Sequence, residues 1–449
     1  MLYRLHNNIL IIGLLTLGVL IALSASRAFC AMTVVTVIAF ATQLLLLLFY
    51  LRGEGTSYSD KSLFFTVFVY SLCLATLIFI TSYYYNDEKF LFDDPDAVFY
   101  YEEGLKATDF GFFENAKRII LKNGFDDWGA LLLSNLMMSL IPSSFFMNVL
   151  YLFTGAVSSV MLYRVGKHFM PDVYAFVASL AYGTSSYLIL FHCTYLKESF
   201  FVFLVVCTIY YFYRFITDES CGALIGVLAS LFLIIFFRPA VVAFLLMAFT
   251  LYYAITKRGS AISLFLYIAI AVGLVVSMTF LQSQMDHYTE GGDTDALLAE
   301  NGSANYSGGF NFFVAWFVSL FGPFPTLFPT ESAGPVPMIF YGAGLMYKLF
   351  LIIPLWTGVF FAVKRTDFLM IPMMGFTLIE IAASAYVMAS FELRKVLLHM
   401  PFIYPIAFYG IYQLGTIKKG IAYQHLSEMA SYALAIGILF LWNVIRVKG

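Results

Sequence analysis

The chain predicts a polytopic, all-α membrane protein, and three observations carry that prediction. Hydrophobic residues make up 61% of the sequence and charged residues 12%, against roughly 45–50% and 25% in a soluble domain. Apolar runs of about 20 residues, the length that crosses a hydrocarbon core about 30 Å thick, recur along the whole chain. Lysines and arginines collect in alternate short turns, as in a helical protein inserted with one fixed orientation. A spanning β-barrel would need short strands of alternating polarity, which these runs are not.

Taken in order, the runs fall at 8–25, 29–51, 62–84, 144–163, 172–191, 198–217, 222–237, 239–256, 260–281, 338–363, 367–389, 395–415 and 428–446. They predict about 11–13 transmembrane helices. The first resembles an uncleaved span, with a signal peptide as the alternative. The run at 311–329 contains Gly322, Pro323, Pro325 and Pro329, a cluster that breaks a helix, so it reads as re-entrant or interfacial. The short segment 131–141 reads as interfacial too. The chain thus divides into N-terminal spans (1–84), an outer acidic loop (85–143), a central bundle (144–281), a second outer loop (282–337) and a C-terminal bundle (338–449).

Placing Arg4 in the cytoplasm puts Arg52, Lys61, Arg164, Lys167, Arg214, Lys257, Arg258, Lys364, Arg365, Lys418 and Lys419 there as well. The opposite face then carries both long loops, with 11 acidic residues in 85–143 and 5 in 282–310. Thirteen spans would leave Arg446 and Lys448 outside. Either a short run within 222–256 is not a span, or the C-terminus departs from the rule.

Composition also narrows the chemistry. The five cysteines are scattered and read as small packing residues, not a disulfide framework or a metal site. The six histidines do not cluster, and no phosphate-binding glycine loop, HExxH or CxxC pair is present. Glu380 falls about 13 residues into its run, near mid-membrane. A charge there costs about 2.5–3.5 kcal/mol on insertion scales, so Glu380 is either an internal ion pair that fixes packing or a functional group. Lys348 sits at a soft run boundary, interfacial or intramembrane.

The polar insert opens with Asp93, Asp94 and Asp96, three carboxylates straight after a spanning run. Pro95 is suited to a first helical position. A helix beginning there sets Asp96, Tyr100 and Gly104 on one face, at i, i+4 and i+8. Asp96 would then be a carboxylate at a helix N-terminus, kept ionised by the positive dipole end and able to take a proton. It would equally serve as a helix cap. Lys197 with Glu198, Arg238, and the Glu392-Leu393-Arg394-Lys395 run all fall at outer ends of other runs, where arginines and lysines are suited to holding a phosphate. Carboxylates on a loop facing cations at helix ends fit a reaction in which a hydroxyl attacks a carbon bearing a lipid-linked phosphate leaving group. Asp96 and Asp94 are the candidate catalytic residues, and Arg238, Arg394 and Lys197 the candidate phosphate ligands. Tyr100, Tyr101, Glu198, Glu392, Lys395 and His399 are supporting candidates.

Several motifs resemble a known family. Asp96-Ala-Val-Phe-Tyr100-Tyr101-Glu-Glu-Gly104 resembles the first-loop signature of the C-type (GT-C) glycosyltransferases. Asn148-Val-Leu, Leu162-Tyr163-Arg164-Val-Gly-Lys-His and Tyr195-Leu-Lys197-Glu198-Ser-Phe are similar to members that assemble bacterial surface polysaccharides. So are Phe321-Gly-Pro-Phe-Pro325 and the late stretch from Glu392 through Arg394 and His399 to Pro401 and Pro405, with its two prolines four apart. The resemblance covers roughly 90–405. It departs from the family in lacking the usual Asp-Glu pair, which leaves Asp93, Asp94 and Asp96 in competition, and in having two spans where one commonly precedes the first loop. It implies a multi-pass protein of the bacterial cytoplasmic membrane working on the outer face. The implied donor is a polyprenyl-phosphate-linked sugar, and the acceptor a glycan or lipid. Membrane lipids are partners and nucleic acid is not. A divalent ion, Mg or Mn, held by Asp93 and Asp94 is sometimes part of such sites. A polysaccharide repeat-unit polymerase is the close alternative, and a lipid-linked oligosaccharide flippase the alternative of another class. A transporter would show matching broken helices in two halves, whereas the proline cluster at 322–329 has no counterpart in the first half.

Overall fold

The computed structural model describes residues 31–52, 58–85, 95–123, 128–256, 348–388, 396–417 and 420–448, with isolated positions within 7–14 and at 316 and 320. The described residues are helical, with no strand among them, and their apolar helices are compatible with the polytopic membrane protein expected from composition. Four described helices are long and apolar enough to cross a membrane, at Asp60–Thr81, Ser144–Gly166, Glu198–Asp218 and Pro239–Thr256. The run read as one span at 172–191 is a bent pair, Asp172–Gly183 and Ser186–His192, turned by 48°. The sequence Gly183-Thr184-Ser185 supplies the reason, since glycine and small hydroxyl residues tolerate a broken hydrogen-bond ladder inside a bundle.

In chain order the elements are α1 (Ala31–Arg52), α2 (Asp60–Tyr85), α3 (Pro95–Leu105), α4 (Ala107–Phe110), α5 (Phe112–Lys122) and α6 (Trp128–Leu140). There follow α7 (Ser144–Gly166), α8 (Asp172–Gly183), α9 (Ser186–His192), α10 (Glu198–Asp218), α11 (Cys221–Ile235) and α12 (Pro239–Thr256). The C-terminal part holds α13 (Ile352–Arg365), α14 (Ile371–Met388), α15 (Val396–Thr416) and α16 (Gly420–Lys448). The insert, expected as an acidic loop carrying interfacial helices, contains α3 to α6, packed on one another.

The central helix is α15. It buries nearly all of its side chains and packs against α8, α10, α13, α14 and α16. A helix apolar on every side belongs inside a bundle. Pro401 and Pro405 both lie within it, where surrounding helices tolerate the lost backbone hydrogen bonds. Its closest neighbour, α13, approaches backbone to backbone. A Cβ on Gly358 would come within 2.1 Å of the Ile406 carbonyl oxygen, so only glycine permits that crossing.

The charged turns sort to two ends. At one end Arg164 meets Asp60 (Nη2 to Oδ2, 2.6 Å) and the Tyr210 hydroxyl (3.0 Å), and Lys167 meets Asp172 (3.6 Å). His168 stacks on Tyr213, whose hydroxyl donates to the Leu369 carbonyl. Arg365 donates to Thr416 (2.9 Å), and Tyr409 donates to Asp367. The two basic turns, at Arg164 with Lys167 and at Lys364 with Arg365, come from distant parts of the sequence and share one end, joined where Tyr213 meets Leu369. Exposed pairs of this kind contribute about 0–1 kcal/mol each, so they stabilise little. The other end carries α3 to α6 and the turns at 193–197 and 236–238.

Candidate functional site

Pro95 opens α3, where its missing N–H costs nothing and its fixed φ suits the first turn. Ala97, Tyr100, Tyr101 and Gly104 are buried and follow helical spacing, so one stripe of α3 faces the protein. That stripe lies on α6. Gly104 sets the distance: a Cβ there would sit 2.1 Å from Ser134 Oγ. Ser134 donates to the Tyr100 carbonyl at 2.7 Å and lies 2.8 Å from the Tyr195 hydroxyl, which must donate the second bond. Tyr195 also meets the Tyr101 ring edge-on at 5.8 Å. It has φ 63, a left-handed conformation uncommon for a bulky residue, here held by the hydroxyl's bond to Ser134 and the ring's contact with Tyr101.

From Tyr195 the chain runs two residues to Lys197, whose Nζ lies 5.8 Å from the centre of the Tyr100 ring. An ammonium over an aromatic face is attracted by the ring's quadrupole. Glu198 then opens α10 and is buried, with a side chain 3% exposed. Its Oε1 accepts from Arg238 Nη2 at 3.3 Å, while Oε2 has no hydrogen-bond partner among the described residues. That distance is long for a charge-assisted bond, which typically closes to about 2.7–2.9 Å.

Arg238 ends the turn between α11 and α12, which Pro239 closes by opening the next helix. The same turn receives α6. The Gly129 amide donates to the Phe236 carbonyl at 2.8 Å, and Trp128 stacks on the Phe236 ring at 6.4 Å. Thus α6 is seated at its start on the Arg238 turn and at its middle under α3. Its next residue, Asn135, accepts from Asn115 (2.8 Å) and donates to the Phe112 carbonyl (3.0 Å). Asn115 also supports Arg118, which reaches Glu103 at 2.7 Å. Glu103 is therefore committed to holding α3 against α5.

The structure brings six of the sequence-predicted residues into one region: Asp96, Tyr100, Tyr101, Lys197, Glu198 and Arg238. Asp96 is half-buried in the first turn of α3, inside the helix at its second residue. Arg238 is not the isolated cation that sequence suggested, since Glu198 takes one of its nitrogens. His399 faces elsewhere. It is buried on α15, with Nδ1 2.8 Å from Glu380 Oε2 and Nε2 3.4 Å from Lys348 Nζ. Asp93, Asp94, Glu392, Arg394 and Lys395 lie outside the described residues, as do most of the loop 282–337 and its proline cluster.

Sequence reasoning missed Ser134, Tyr195 and the role of α6. The signal present was Ser134-Asn135, a polar pair inside an otherwise apolar stretch. Among the described residues, no group of three or more histidines, cysteines or carboxylates is spaced to hold a metal ion. The arrangement offers a carboxylate at a helix N-terminus, an ammonium one tyrosine ring away, and a guanidinium on a turn fastened to the same supporting helix. Compared with known proteins, the chain matches no family model and no curated protein.

Proposed function

We propose that the chain is a GT-C-like integral membrane glycosyltransferase that moves a sugar from a polyprenyl-phosphate-linked donor to a cell-surface glycan or lipid acceptor. One observation carries the reading: α6 fastens the Asp96 helix and the Arg238 turn to one support, with Lys197 against Tyr100 between them. A base and phosphate-binding cations thereby share the polar end of a helical membrane protein.

In this reading the acceptor hydroxyl attacks the anomeric carbon while the bond from that carbon to the phosphate oxygen breaks. Asp96 takes the hydroxyl proton, and polyprenyl phosphate leaves with one more negative charge. Lys197 and Arg238 offset that charge, with Arg394 as the third phosphate ligand. A cation fixed before reaction stabilises developing charge without reorganisation. A divalent ion on Asp93 and Asp94 would add to this, but no step here depends on one. The test is transfer by the purified protein from a panel of radiolabelled polyprenyl-phosphate sugars. Labelled glycan or lipid product with release of polyprenyl phosphate is expected. Absence of transfer from every donor, by protein that is folded, would end the proposal.

The reading also places the protein in the bacterial cytoplasmic membrane with 11–13 spans and the α3–α6 end outward, since short basic turns are retained in the cytoplasm. Asn123, after α5, then faces outward. Asn123→Cys should react with an impermeant thiol reagent in intact cells, on a background in which the native cysteines do not. Labelling only after lysis would invert the orientation.

A further inference from the structure

We propose that the face of α7 between Asn148 and Gly155 binds internal water, held by His192 and Asn148 inside the helical bundle. This inference is independent of the transfer reaction. It starts from a buried histidine. His192 ends α9, is 3% exposed, and has no hydrogen-bond partner on either ring nitrogen among the described residues. In any tautomer or charge state an imidazole carries at least one N–H donor. Burying that group dry is costly, so buried polar groups almost always meet a protein or water partner.

A glycine sets the place of the ring. A Cβ on Gly155 would lie 2.6 Å from His192 Nε2, so the imidazole fits against α7 only because that residue has no side chain. Within α7, Ser144–Gly166, eleven residues (144–154) precede Gly155 and eleven (156–166) follow it. At about 1.5 Å per residue each arm is roughly 16 Å long. Half a hydrocarbon core is about 15 Å thick, so His192 meets α7 at the middle of a helix long and apolar enough to cross a membrane.

A second orphaned group shares that face. Asn148 precedes Gly155 by seven residues, which is two helical turns, and so lies on the same side of α7. It is 6% exposed, and its Oδ1 has no partner among the described residues. Its Nδ2 donates to the carbonyl of Cys193, the residue after His192, at 3.4 Å. That is long for an N–H···O bond, which typically closes to about 2.7–3.2 Å. Neighbouring hydroxyls are engaged elsewhere. Ser159 donates to the Gly155 carbonyl (3.0 Å), and Thr194 and Ser199 both donate to the Phe191 carbonyl (2.7 and 3.1 Å).

The groups left over are the Asn148 carbonyl oxygen, the second lone pair of the Cys193 carbonyl, and the imidazole nitrogens. Water suits this set, because it donates to carbonyl oxygens and accepts from a ring N–H. A buried water typically makes about three such bonds. An anion would face two carbonyl oxygens and is repelled. Water held here fastens the turn 193–197, which carries Tyr195 and Lys197, to the middle of α7.

The test is a folding-stability cycle on the purified full chain in mixed micelles, beside an experimental density map of the parent. His192→Phe keeps a ring and removes both nitrogens. It should lower the folding equilibrium constant about tenfold, because Asn148 Oδ1 and the Cys193 carbonyl lose the water that bonds them. A dry, orphaned imidazole predicts the opposite, a gain in stability when its nitrogens are removed. Asn148→Leu should also lose about tenfold. The double variant should lose clearly less than the hundredfold expected of independent sites, since both substitutions remove the same water. Density should show ordered water bonded to the His192 ring. A stability gain or no change with His192→Phe, additive losses in the double variant, or a map with ordered water elsewhere in the bundle and none at His192 would each overturn the site. If the variants fail to accumulate, the map of the parent alone decides it.

Discussion

Purified Asp96→Asn should accumulate and fold like the parent while its sugar transfer falls about 10²–10⁴-fold, the usual cost of losing a general base. The geometry makes this substitution more informative than it was on sequence alone. Pro95 takes the first helical position of α3 and Asp96 the second. From there a carboxylate interacts with the helix dipole, worth about 0.3–1 kcal/mol. A stability change of that size leaves turnover per folded molecule almost unaltered. Asparagine keeps the shape and hydrogen-bonding reach of the side chain and removes its proton affinity, so the two roles separate cleanly. The measurement is a transfer rate normalised to folded protein, with Asp94→Asn assayed beside it. A near-parental rate for Asp96→Asn, with Asp94→Asn inactive, would move the base to Asp94 and leave Asp96 as a helix-end residue.

Much of this site was legible because its parts are local. Pro95 followed by Asp96, Tyr100 and Gly104 at four-residue spacing is a statement about one helix, and α3 forms with Tyr100 and Gly104 buried on the same stripe. Lys197, Glu198 and Arg238 could be placed at one end because run lengths and basic turns fix the sense of each helix. What a sequence without an alignment does not contain is partner choice. Glu380 stood out as a charge inside an apolar run, but His399 is 19 residues on, and Lys348 is 51 residues before His399. Nothing local pairs them. The break at Gly183-Thr184-Ser185 was hidden for another reason: a hydropathy window averages across a bend that leaves both halves apolar. The role of α6 was hidden by its length. Thirteen residues are too few to span, so composition marks it as peripheral, whereas Trp128, Gly129, Ser134 and Asn135 make it the piece on which the polar end is assembled.

The second large effect concerns Arg238. Replacing it by methionine should destabilise the protein by about 3 kcal/mol, roughly a hundred-fold in the folding equilibrium, because it strands Glu198 in the interior. Breaking a buried pair from one side typically costs about 3–5 kcal/mol. The low end applies because the Arg238 side chain is 29% exposed, whereas that of Glu198 is 3% exposed. The loss comes from the carboxylate left behind more than from the bond removed, since the pair is 3.3 Å apart and Glu198 Oε2 has no hydrogen-bond partner among the described residues. Glu198→Gln combined with Arg238→Met removes both charges and should return most of the stability, as replacing a buried pair by neutral groups is often near neutral. Unfolding midpoints of the parent, both single variants and the double variant form the cycle. Additive losses in the double variant would show that the two residues act separately. The stabilised double variant then isolates the second role proposed for Arg238. With the fold restored and the guanidinium gone, transfer should remain slow and need more donor, because a phosphate ligand is missing. Parental transfer by the double variant would make Arg238 a structural partner of Glu198 alone, leaving Lys197 and Arg394 to hold the donor phosphate.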